Sequence, residues 1–336
     1  MAVFTEVTPE QAQQIANTLG LGTVTQLRGI EGGIENTNYF LTTQPNPLDA
    51  SEIQEIPEAP EAPEAHYVLT LFERLEAEQL PFYLFLMKHL AQAGIPVPDP
   101  QPNAYGDVLL HINGKPATVV NKLVGKSQLQ PGPVHCAAVG DMLARMHLAG
   151  QDYGREQPNF RGLAWWNDTT PSVLPFLDAA QTTLLQTELA WQNHLAASPE
   201  YQALPKGPVH ADLFRDNVMF EGEQLTGFFD FYFAGCDTWL FDVAVCLNDW
   251  CIDLSSGRLD EARVNALTSA YQAVRPFTAA EHALFPSLLR AAALRFWISR
   301  LWDFYLPREA SLLKPHDPTH FERVLKERVQ RPWRPA

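Results

Sequence analysis

The sequence predicts an α+β protein with two lobes, in which a small antiparallel sheet with helices precedes a larger, mainly helical lobe. Candidate strands rich in β-branched and aromatic residues occupy the early part of the chain, whereas apolar residues at spacings of three and four dominate after Ser127. The chain has 336 residues, of which 46% are hydrophobic, and this is enough for more than one core. We therefore predict one lobe over residues 1–122 and a second over residues 123–336.

The first lobe is predicted to begin with a helix. Thr8 is suited to cap it, Pro9 occupies the first helical position, and Gln11 completes a capping pair with Thr8. We expect the helix to end near Gly20 or Gly22, because glycine favours the left-handed conformation that often follows a helix.

Three strands are predicted next, the first two on either side of a glycine turn. Residues 24–43 are rich in β-branched and aromatic side chains around the turn at 31–36, and residues 67–72 have the same character. The intervening residues 44–66 contain six acidic residues, no Lys or Arg, and proline at every third position in their centre. This acidic segment has no apolar face, so we expect a solvated and partly disordered excursion, with a docking tail for a basic partner as the alternative.

A helix and a hairpin complete the predicted first lobe. Residues 75–93 carry apolar groups at helical spacing, and Gly94 is expected to end this helix. Two further strands, around 107–112 and 116–120, enclose the Asn-Gly turn at 113–114, which is a strong hairpin signal. The first lobe should therefore contain a five-stranded antiparallel sheet and one long helix.

Helices are predicted to fill most of the second lobe. Five segments have apolar residues at threes and fours: 133–149, 172–197, 261–274, 279–305 and 318–330. One non-helical island interrupts them, at residues 207–233.

Charge and cysteine content exclude several classes of protein. The 39 acidic residues exceed the 24 basic ones and give a formal charge of -15, which disfavours binding to nucleic acid or to an anionic membrane surface. Four cysteines without CxxC spacing indicate a reduced, cytoplasmic protein. Neither a signal peptide nor a membrane span is expected, because the most apolar stretch, 228–247, contains three aspartates.

The non-helical island contains the residues that indicate chemistry. His210, Asp212, Asn217 and Asp230 lie at the ends of short apolar runs. Phosphoryl transfer to an alcohol needs a carboxylate that accepts the hydroxyl proton and oxygen ligands for Mg²⁺. Asp212 is suited to the first task, and Asn217 and Asp230 are suited to the second. A His-x-Asp pair alone usually forms only a loop hydrogen bond, but the joint spacing of the four residues favours a catalytic site.

The spacing of these four residues resembles the catalytic loop and metal-binding aspartate of the aminoglycoside-phosphotransferase and choline-kinase superfamily, which has the bilobal protein-kinase-like fold. Within that superfamily, the stretches 33–40, 210–218 and 290–301 are similar to the bacterial homoserine kinase subfamily. The resemblance covers nearly the whole chain except the acidic segment.

The resemblance implies a role for each residue of the pattern. Asp212 corresponds to the catalytic base, and His210 to a brace of its loop. Asn217 and Asp230 correspond to the Mg²⁺ ligands, with ATP as the phosphoryl donor. Seven residues would contact the nucleotide, four over its phosphates and three at a hinge beside adenine: Gly32, Gly33, Asn36, Thr37, Val120, Lys122 and Leu123.

The implied acceptor is L-homoserine, a zwitterion that needs an anion near its ammonium group and a guanidinium near its carboxylate. Asp237 and Asp249 are candidates for the first role, and Arg295 and Arg300 for the second, with interhelix salt bridges as the alternative. Asp242 lies among apolar residues and is expected to brace the catalytic loop. The expected enzyme is a monomer or homodimer without a nucleic-acid or membrane partner.

One position departs from the superfamily, in which the third strand usually carries a Lys or Arg that pairs with the nucleotide phosphates. Thr70 occupies this position, so Arg74, Lys122 or another base supplies the charge, or Mg²⁺ and backbone donors suffice. Four alternatives stand beside the homoserine kinase interpretation. They are a kinase of another small alcohol, such as an aminoglycoside or choline, a catalytically silent nucleotide-binding module, a metal-dependent hydrolase and a scaffold protein.

Overall fold

The computed structural model describes residues 4–30, 36–45, 63–306 and 315–335. The chain divides into two compact units. The first comprises Met1–Ala91 and Val97–Leu123, and the second comprises Gln92–Pro96 and Val124–Ala336. Most of the predicted acidic excursion at 44–66 lies outside the described residues.

The described part of the first unit contains two helices and five strands. Their bounds are α1 (Pro9–Leu19), β1 (Thr23–Gly29), β2 (Asn36–Gln44), β3 (Ala65–Phe72), α2 (Leu80–Gln92), β4 (Leu110–Ile112) and β5 (Lys115–Asn121). The strands form one antiparallel sheet in the order β1-β2-β3-β5-β4. The predicted five-stranded antiparallel sheet is confirmed.

The helix cap and the hairpin turn predicted for the first unit are both present. The Thr8 hydroxyl accepts the Gln11 backbone N–H, and the Gln11 side chain accepts the Thr8 backbone N–H, so the predicted capping box begins α1. Gly20 adopts φ 67° and ends the helix. Asn113 and Gly114 both have positive φ, as a two-residue hairpin turn requires.

Two predicted boundaries in this unit are wrong. Helix α2 begins at Leu80 rather than at residue 75, because the Gln79 N–H bonds to the Glu76 carbonyl at 3.0 Å in a separate turn. Strand β4 begins at Leu110 rather than at residue 107, because the side chain of Asn103 accepts the Asp107 N–H and folds that segment into a turn.

The two faces of the sheet have different characters. One face packs against α1 in a core that includes Ile15, Leu41 and Leu69. Residues on the opposite face include Arg28 and Lys122, whose charged groups lie 5.2 and 4.7 Å from the centre of the Phe40 ring. This second face is therefore the more polar of the two.

The second unit begins with a short strand and continues mainly as helices. Its elements are β6 (Lys126–Ser127), α3 (Pro133–Ala149), α4 (Leu163–Val173), α5 (Ala179–Ala196), α6 (Pro199–Gln202), β7 (Lys206–Val209), β8 (Val218–Glu221), β9 (Gln224–Phe228), β10 (Gly235–Thr238), α7 (Trp239–Trp250), α8 (Glu261–Val274), α9 (Ala279–Tyr305) and α10 (Thr319–Gln330). Strands β7 and β10 pair, and β8 lies between β6 and β9.

The helix predicted at 172–197 is confirmed as α5, but its predicted start is wrong. Residues Leu174–Phe176 form a 3₁₀ turn after α4, and Asp178 then caps α5 by accepting the Gln181 backbone N–H. The five predicted helical segments did not include α7, because every one of its residues is buried and the apolar residues therefore show no single face.

Helix α7 forms the centre of the second unit and packs against α9. Trp250 and Trp297 are fully buried in this core. Gly140 allows α3 to approach α8 closely, since a Cβ atom there would lie 2.1 Å from the Leu267 carbonyl oxygen. No helix in the described parts of the chain is long and apolar enough to cross a membrane.

Candidate active site

One buried carboxylate supports the predicted catalytic loop between β7 and β8. Asp242 has no exposed surface, and its two oxygens accept the backbone N–H groups of His210 and Ala211 at 2.8 Å each. His147 donates to the same carboxylate through Nε2 at 3.1 Å. Burial alone would raise the pKa of Asp242, but these donors hold that pKa below its ordinary value. The predicted role of Asp242 as a brace is confirmed.

The His210 ring joins the two halves of the site. Burial lowers the pKa of His210, so its imidazole is neutral and carries one ring N–H. Nε2 lies 2.9 Å from the Phe229 carbonyl oxygen, which only accepts, and Nδ1 accepts the Asp212 backbone N–H at 3.3 Å. One tautomer therefore ties the backbone of Asp212 to the residue that precedes Asp230.

Two residues of the site adopt the left-handed conformation without being glycine. Ala211 has φ 63° and Asp230 has φ 68°. Each such residue costs about 1 kcal/mol or more and persists only when the surrounding structure fixes it. The bonds of Asp242 and His210 supply that constraint immediately beside both residues.

Asp212 is the carboxylate best suited to accept a proton. Its side chain is 18% exposed, and its Oδ1 lies 3.5 Å from Nη1 of the buried Arg295. Burial raises the pKa of Asp212 to about 7, with Arg295 opposing this shift and Asp230 adding to it. A carboxyl group that titrates near neutral pH matches the requirement for a general base.

Asn217 and Asp230, the predicted Mg²⁺ ligands, each carry a side-chain oxygen atom that could bind a cation. The Asn217 Nδ2 atom donates to the Asp212 carbonyl oxygen at 2.8 Å, which fixes the orientation of the amide and places Oδ1 away from that bond. The Phe229 backbone N–H donates to the Asn217 carbonyl at 3.0 Å. Asp230 follows Phe229 directly, so the predicted ligand pair converges on the segment that contains Asp212.

Asp249 already has a protein partner. The Asp249 carboxylate accepts both the backbone N–H of Arg215, at 2.8 Å, and its Nε, at 3.0 Å. Both side chains are mostly buried. The structure therefore places Asp249 in the support of the catalytic loop, and its predicted contact with the acceptor ammonium stays a prediction.

The two predicted arginines lie on α9 and carry charges that act on Asp212. Arg295 is 3% exposed, and burial lowers its pKa to about 10. Burial also lowers the pKa of Arg300, while Asp212 and Asp303 oppose this shift. The structure thus brings both arginines into the electrostatic environment of Asp212, with Arg295 in direct contact.

Asp237 lies on β10 and belongs to a separate hydrogen-bonded group. Its carboxylate accepts the Asn159 Nδ2 at 2.8 Å and the Thr238 backbone N–H at 2.7 Å. Burial raises the pKa of Asp237, and these two donors oppose the shift. The same Asn159 side chain accepts the backbone N–H of Arg161 at 2.9 Å.

The residues predicted to contact the nucleotide lie in the first unit. Gly32 and Gly33 are outside the described residues. Thr37 is fully buried, and its hydroxyl donates to Glu73 and accepts two backbone N–H groups of the N-terminal segment. The hydroxyl of Thr37 is therefore used by the fold, and its predicted place over the phosphates stays a prediction.

The remaining nucleotide residues lie at the ends of strands. Asn36 is the first residue of β2, and the buried Val120 pairs with Val68 on β3. Lys122 follows β5, donates its backbone N–H to the His66 carbonyl at 2.9 Å and places its ammonium over Phe40. The half-buried Leu123 is the last residue of the unit.

Thr70 at the usual lysine position is a structural residue. Its hydroxyl donates to the Asn38 side chain across β2 and β3 at 2.7 Å, and only 5% of the residue is exposed. Lys122 lies on the same face of the sheet as Thr70, because every second residue of a strand points to one face and Thr118, which pairs with Thr70, is four residues before Lys122.

Sequence reasoning did not identify Arg161 and Asn159. Both lie in the loop before α4, between Pro158 and Gly162. The signal in the sequence is a charged residue in a short segment bounded by proline and glycine and followed by two tryptophans. Neither its approach to α9 nor the link to Asp237 is visible without the tertiary structure.

Comparison with known proteins identifies the family. The chain matches the model of the phosphotransferase enzyme family over residues 26–277. A homoserine kinase of Polaromonas naphthalenivorans is 61% identical over 99% of each chain. A homoserine kinase of Cupriavidus necator is 57% identical over 98% of this chain and 96% of its own.

Solved structures agree with this relationship at the level of the fold. An amicoumacin kinase in complex with AMP-PNP, Ca²⁺ and Ami superposes with a TM-score of 0.67 over 96% of this chain and 93% of its own, at 17% identity. A choline/ethanolamine kinase family protein from Mesorhizobium loti gives a TM-score of 0.62 over 96% and 95%, also at 17% identity. The predicted protein-kinase-like fold is confirmed, and the chain belongs to the phosphotransferase enzyme family, within the group that includes these homoserine kinases.

Proposed function

We propose that this phosphotransferase transfers the γ-phosphoryl group of ATP to the side-chain hydroxyl of L-homoserine and forms O-phospho-L-homoserine, an intermediate for threonine synthesis. The observation that carries the proposal is the buried, hydrogen-bonded loop that holds Asp212 beside Arg295. The full-length similarity to homoserine kinases supports the choice of acceptor. A cytoplasmic location and a monomeric or dimeric state stay predictions.

Asp212 is the base of the proposed reaction. Its carboxylate accepts the proton of the attacking hydroxyl, and its pKa of about 7 leaves a large ionised fraction at neutral pH. Arg295 favours the ionised form, because its guanidinium lies 3.5 Å from Asp212 Oδ1. His210 positions the base through the Asp212 backbone rather than through its carboxylate.

The donor set of the loop fits Mg²⁺. Asn217 Oδ1 and the Asp230 carboxylate are hard oxygen ligands, and two such ligands are sufficient for an ion that keeps several waters and binds phosphate oxygens. No cluster of three or more His, Cys, Asp or Glu residues occurs in the described segments, in keeping with a site completed by the nucleotide. When bound, Mg²⁺ neutralises charge on the transferring phosphoryl group.

ATP is the proposed donor, with contacts from the polar face of the first unit. Lys122 is our candidate for the cation that replaces the usual third-strand lysine, because it lies on the same face as Thr70. Six other residues of this unit are proposed to contact ATP: Gly32, Gly33, Asn36, Thr37, Val120 and Leu123.

For the acceptor, Arg295 and Arg300 supply positive charge near Asp212. Asp237 is the stronger of the two candidates for the ammonium, because the Asp249 carboxylate is engaged by Arg215. An acceptor with a carboxylate suits these arginines better than a polycationic aminoglycoside or a choline cation would. This charge pattern separates the proposal from the two other alcohol kinases.

The test is product formation by the purified full-length protein with Mg-ATP. We expect L-homoserine to increase ADP release many-fold over the acceptor-free rate, and ³¹P NMR to show a phosphomonoester. The replacement Asp212→Asn should lower kcat by about 10³-fold while retaining ATP binding, whereas the exposed Asp141→Asn should behave as the unaltered protein. Equal ADP release with and without L-homoserine, or greater stimulation by choline or kanamycin, would refute the proposal.

A further inference from the structure

The loop at 157–162 is fixed against strand β10. The Cys236 backbone N–H donates to the Gln157 carbonyl at 2.6 Å, and Pro158 forms a parallel bridge with Cys236. A Cβ atom at Gly235 would lie 2.8 Å from the backbone of Asn159, so only glycine permits this approach. Arg161 is therefore presented from a rigid loop rather than from a freely moving one.

Arg161 and Arg295 share an aromatic neighbour. The guanidinium carbons of Arg161 and Arg295 lie 5.8 and 5.4 Å from the centre of the Phe233 ring. Arg161 also lies 4.4 Å from the ring centre of Trp165. Phe233 ends the 3₁₀ turn that follows Asp230, so both guanidinium groups lie beside the segment after Asp230.

This arrangement concentrates positive charge in a largely buried place. Burial lowers the pKa of Arg295, Asp212 opposes that shift, and the charge of Arg161 adds to it. In the described part of the chain, Arg295 Nε is buried and has no hydrogen-bond partner, and the Nη1 contact with Asp212 is long at 3.5 Å. A buried donor without a partner costs about 1–3 kcal/mol, so these arginines favour an additional anion.

We propose that Arg161, together with Arg295, binds the carboxylate of the acceptor and selects acceptors that carry one. Planar guanidinium groups bind carboxylates through paired N–H donors, and Phe233 and Trp165 hold the two groups in place. Asn159 connects this carboxylate site to Asp237, because it accepts the Arg161 backbone N–H and donates to the Asp237 carboxylate. This proposal rests on the proposed function, and it assigns the selection of a carboxylate-bearing acceptor to Arg161.

The transferring phosphoryl group is a second anion that Arg161 could bind, because guanidinium groups bind phosphate as well as carboxylate. The two possible ligands predict different effects of replacing Arg161. A carboxylate ligand makes Arg161 important only for acceptors that carry the negative charge. A phosphoryl ligand makes it equally important for every acceptor.

The test compares L-homoserine with L-homoserine amide, which keeps the hydroxyl and the ammonium group but lacks the carboxylate charge. In the unaltered protein we expect kcat/KM to be higher for L-homoserine. Arg161→Gln should lower kcat/KM for L-homoserine by about 10- to 100-fold, mainly through KM, and should leave the value for the amide within about twofold. Arg161→Lys should recover only part of the loss, because a lysine keeps the charge without the paired donors.

The exposed Arg155→Gln, six residues earlier, is the matched control and should not change either value. Circular dichroism and the thermal midpoint establish that each variant is folded. An equal loss of kcat/KM with both acceptors, or an unchanged preference for L-homoserine in Arg161→Gln, would overturn the proposal. If L-homoserine did not increase ADP release by the unaltered protein, the proposed function itself would be refuted. This result differs from either result that would overturn the role of Arg161.

Discussion

The backbone N–H of His210 donates to the Asp242 carboxylate at 2.8 Å, so the first residue of the catalytic loop is held by a helix that carries none of the proposed catalytic or metal-binding groups. We expect Asp242→Asn to lower the free energy of unfolding by about 3 kcal/mol at pH 7, because two backbone donors and His147 lose an ionised acceptor. Denaturant unfolding measures this loss. Asp141→Asn, which alters only a surface ion pair with Arg145, is the control and should change the free energy of unfolding by less than about 0.5 kcal/mol.

The same carboxylate makes the stability of the fold depend on pH. The pKa of Asp242 is held below its unfolded value, so its contribution is present above about pH 4 and is lost as the pH falls through the folded pKa. The difference in stability between the protein and Asp242→Asn should therefore shrink under acid. A difference that stays constant from pH 7 to pH 3 would contradict this assignment.

The activity should have a different pH dependence, set by Asp212. Burial raises the pKa of Asp212 to about 7, and only the ionised form accepts a proton. We expect kcat/KM for L-homoserine to rise with pH below about 7 and to level off above it, with Asp212→Asn lacking this limb. Initial rates between pH 5 and pH 9 measure the profile, and a limb near pH 4 would show that the free base has an ordinary carboxyl pKa.

The requirement for magnesium should change when either proposed ligand is altered. Asp230→Asn and Asn217→Ala should each raise the Mg²⁺ concentration for half-maximal rate by about tenfold or more. Calorimetry of ADP binding with and without Mg²⁺ provides a readout independent of catalysis. Asn167→Ala, at an exposed position on α4, is the control, and an unchanged Mg²⁺ dependence in both ligand variants would exclude this pair.

Asp237 should matter only for acceptors with an ammonium group. We expect Asp237→Asn to lower kcat/KM for L-homoserine by about tenfold or more, because the variant removes a charge and keeps a hydrogen-bonding group of the same size. Activity with 4-hydroxybutyrate, which lacks the ammonium group, should change little. A parallel loss with both acceptors would assign Asp237 to structure alone.

A methyl group at Gly235 should disturb the loop that presents Arg161. The Cβ of Gly235→Ala would lie 2.8 Å from the Asn159 backbone, so the loop must move or the strand must shift. We expect a cost of about 1–3 kcal/mol in stability and a higher KM for L-homoserine. Gly154→Ala is a matched control, since a Cβ there meets no atom within 4 Å, and a normal KM in Gly235→Ala would show that the loop adapts.

Local patterns in the sequence predicted the elements that depend on local chemistry. The Thr8 capping box, the Asn113–Gly114 turn and the amphipathic α8 follow from residues close in sequence, and the structure confirms them. Helix α7 has no polar face because it is buried on all sides, so its periodicity gave no signal. Elements distant in sequence bury α7 on all sides, and this burial is not visible in the local pattern.

The site shows the same division between local and distant causes. The spacing of Asp212, Asn217 and Asp230 was readable because the first two lie on one loop and the third follows the β8–β9 hairpin that comes directly after it. Asp249 and Arg161 could not be assigned from the sequence, because Arg215 lies 34 residues from Asp249 and Phe233 lies 72 residues from Arg161. The ion pair of Asp249 with Arg215 and the approach of Arg161 to Phe233 depend on how helices and loops pack.

The double acceptance by Asp242 also has a consequence for local opening of the chain. The amide hydrogens of His210 and Ala211 are bonded to a side chain of α7 rather than to a neighbouring strand. These two hydrogens exchange with solvent only when the loop separates from α7, and α7 is buried along its whole length. The catalytic loop therefore opens together with the fully buried α7, and the amides of His210 and Ala211 gain the slow hydrogen exchange of a core.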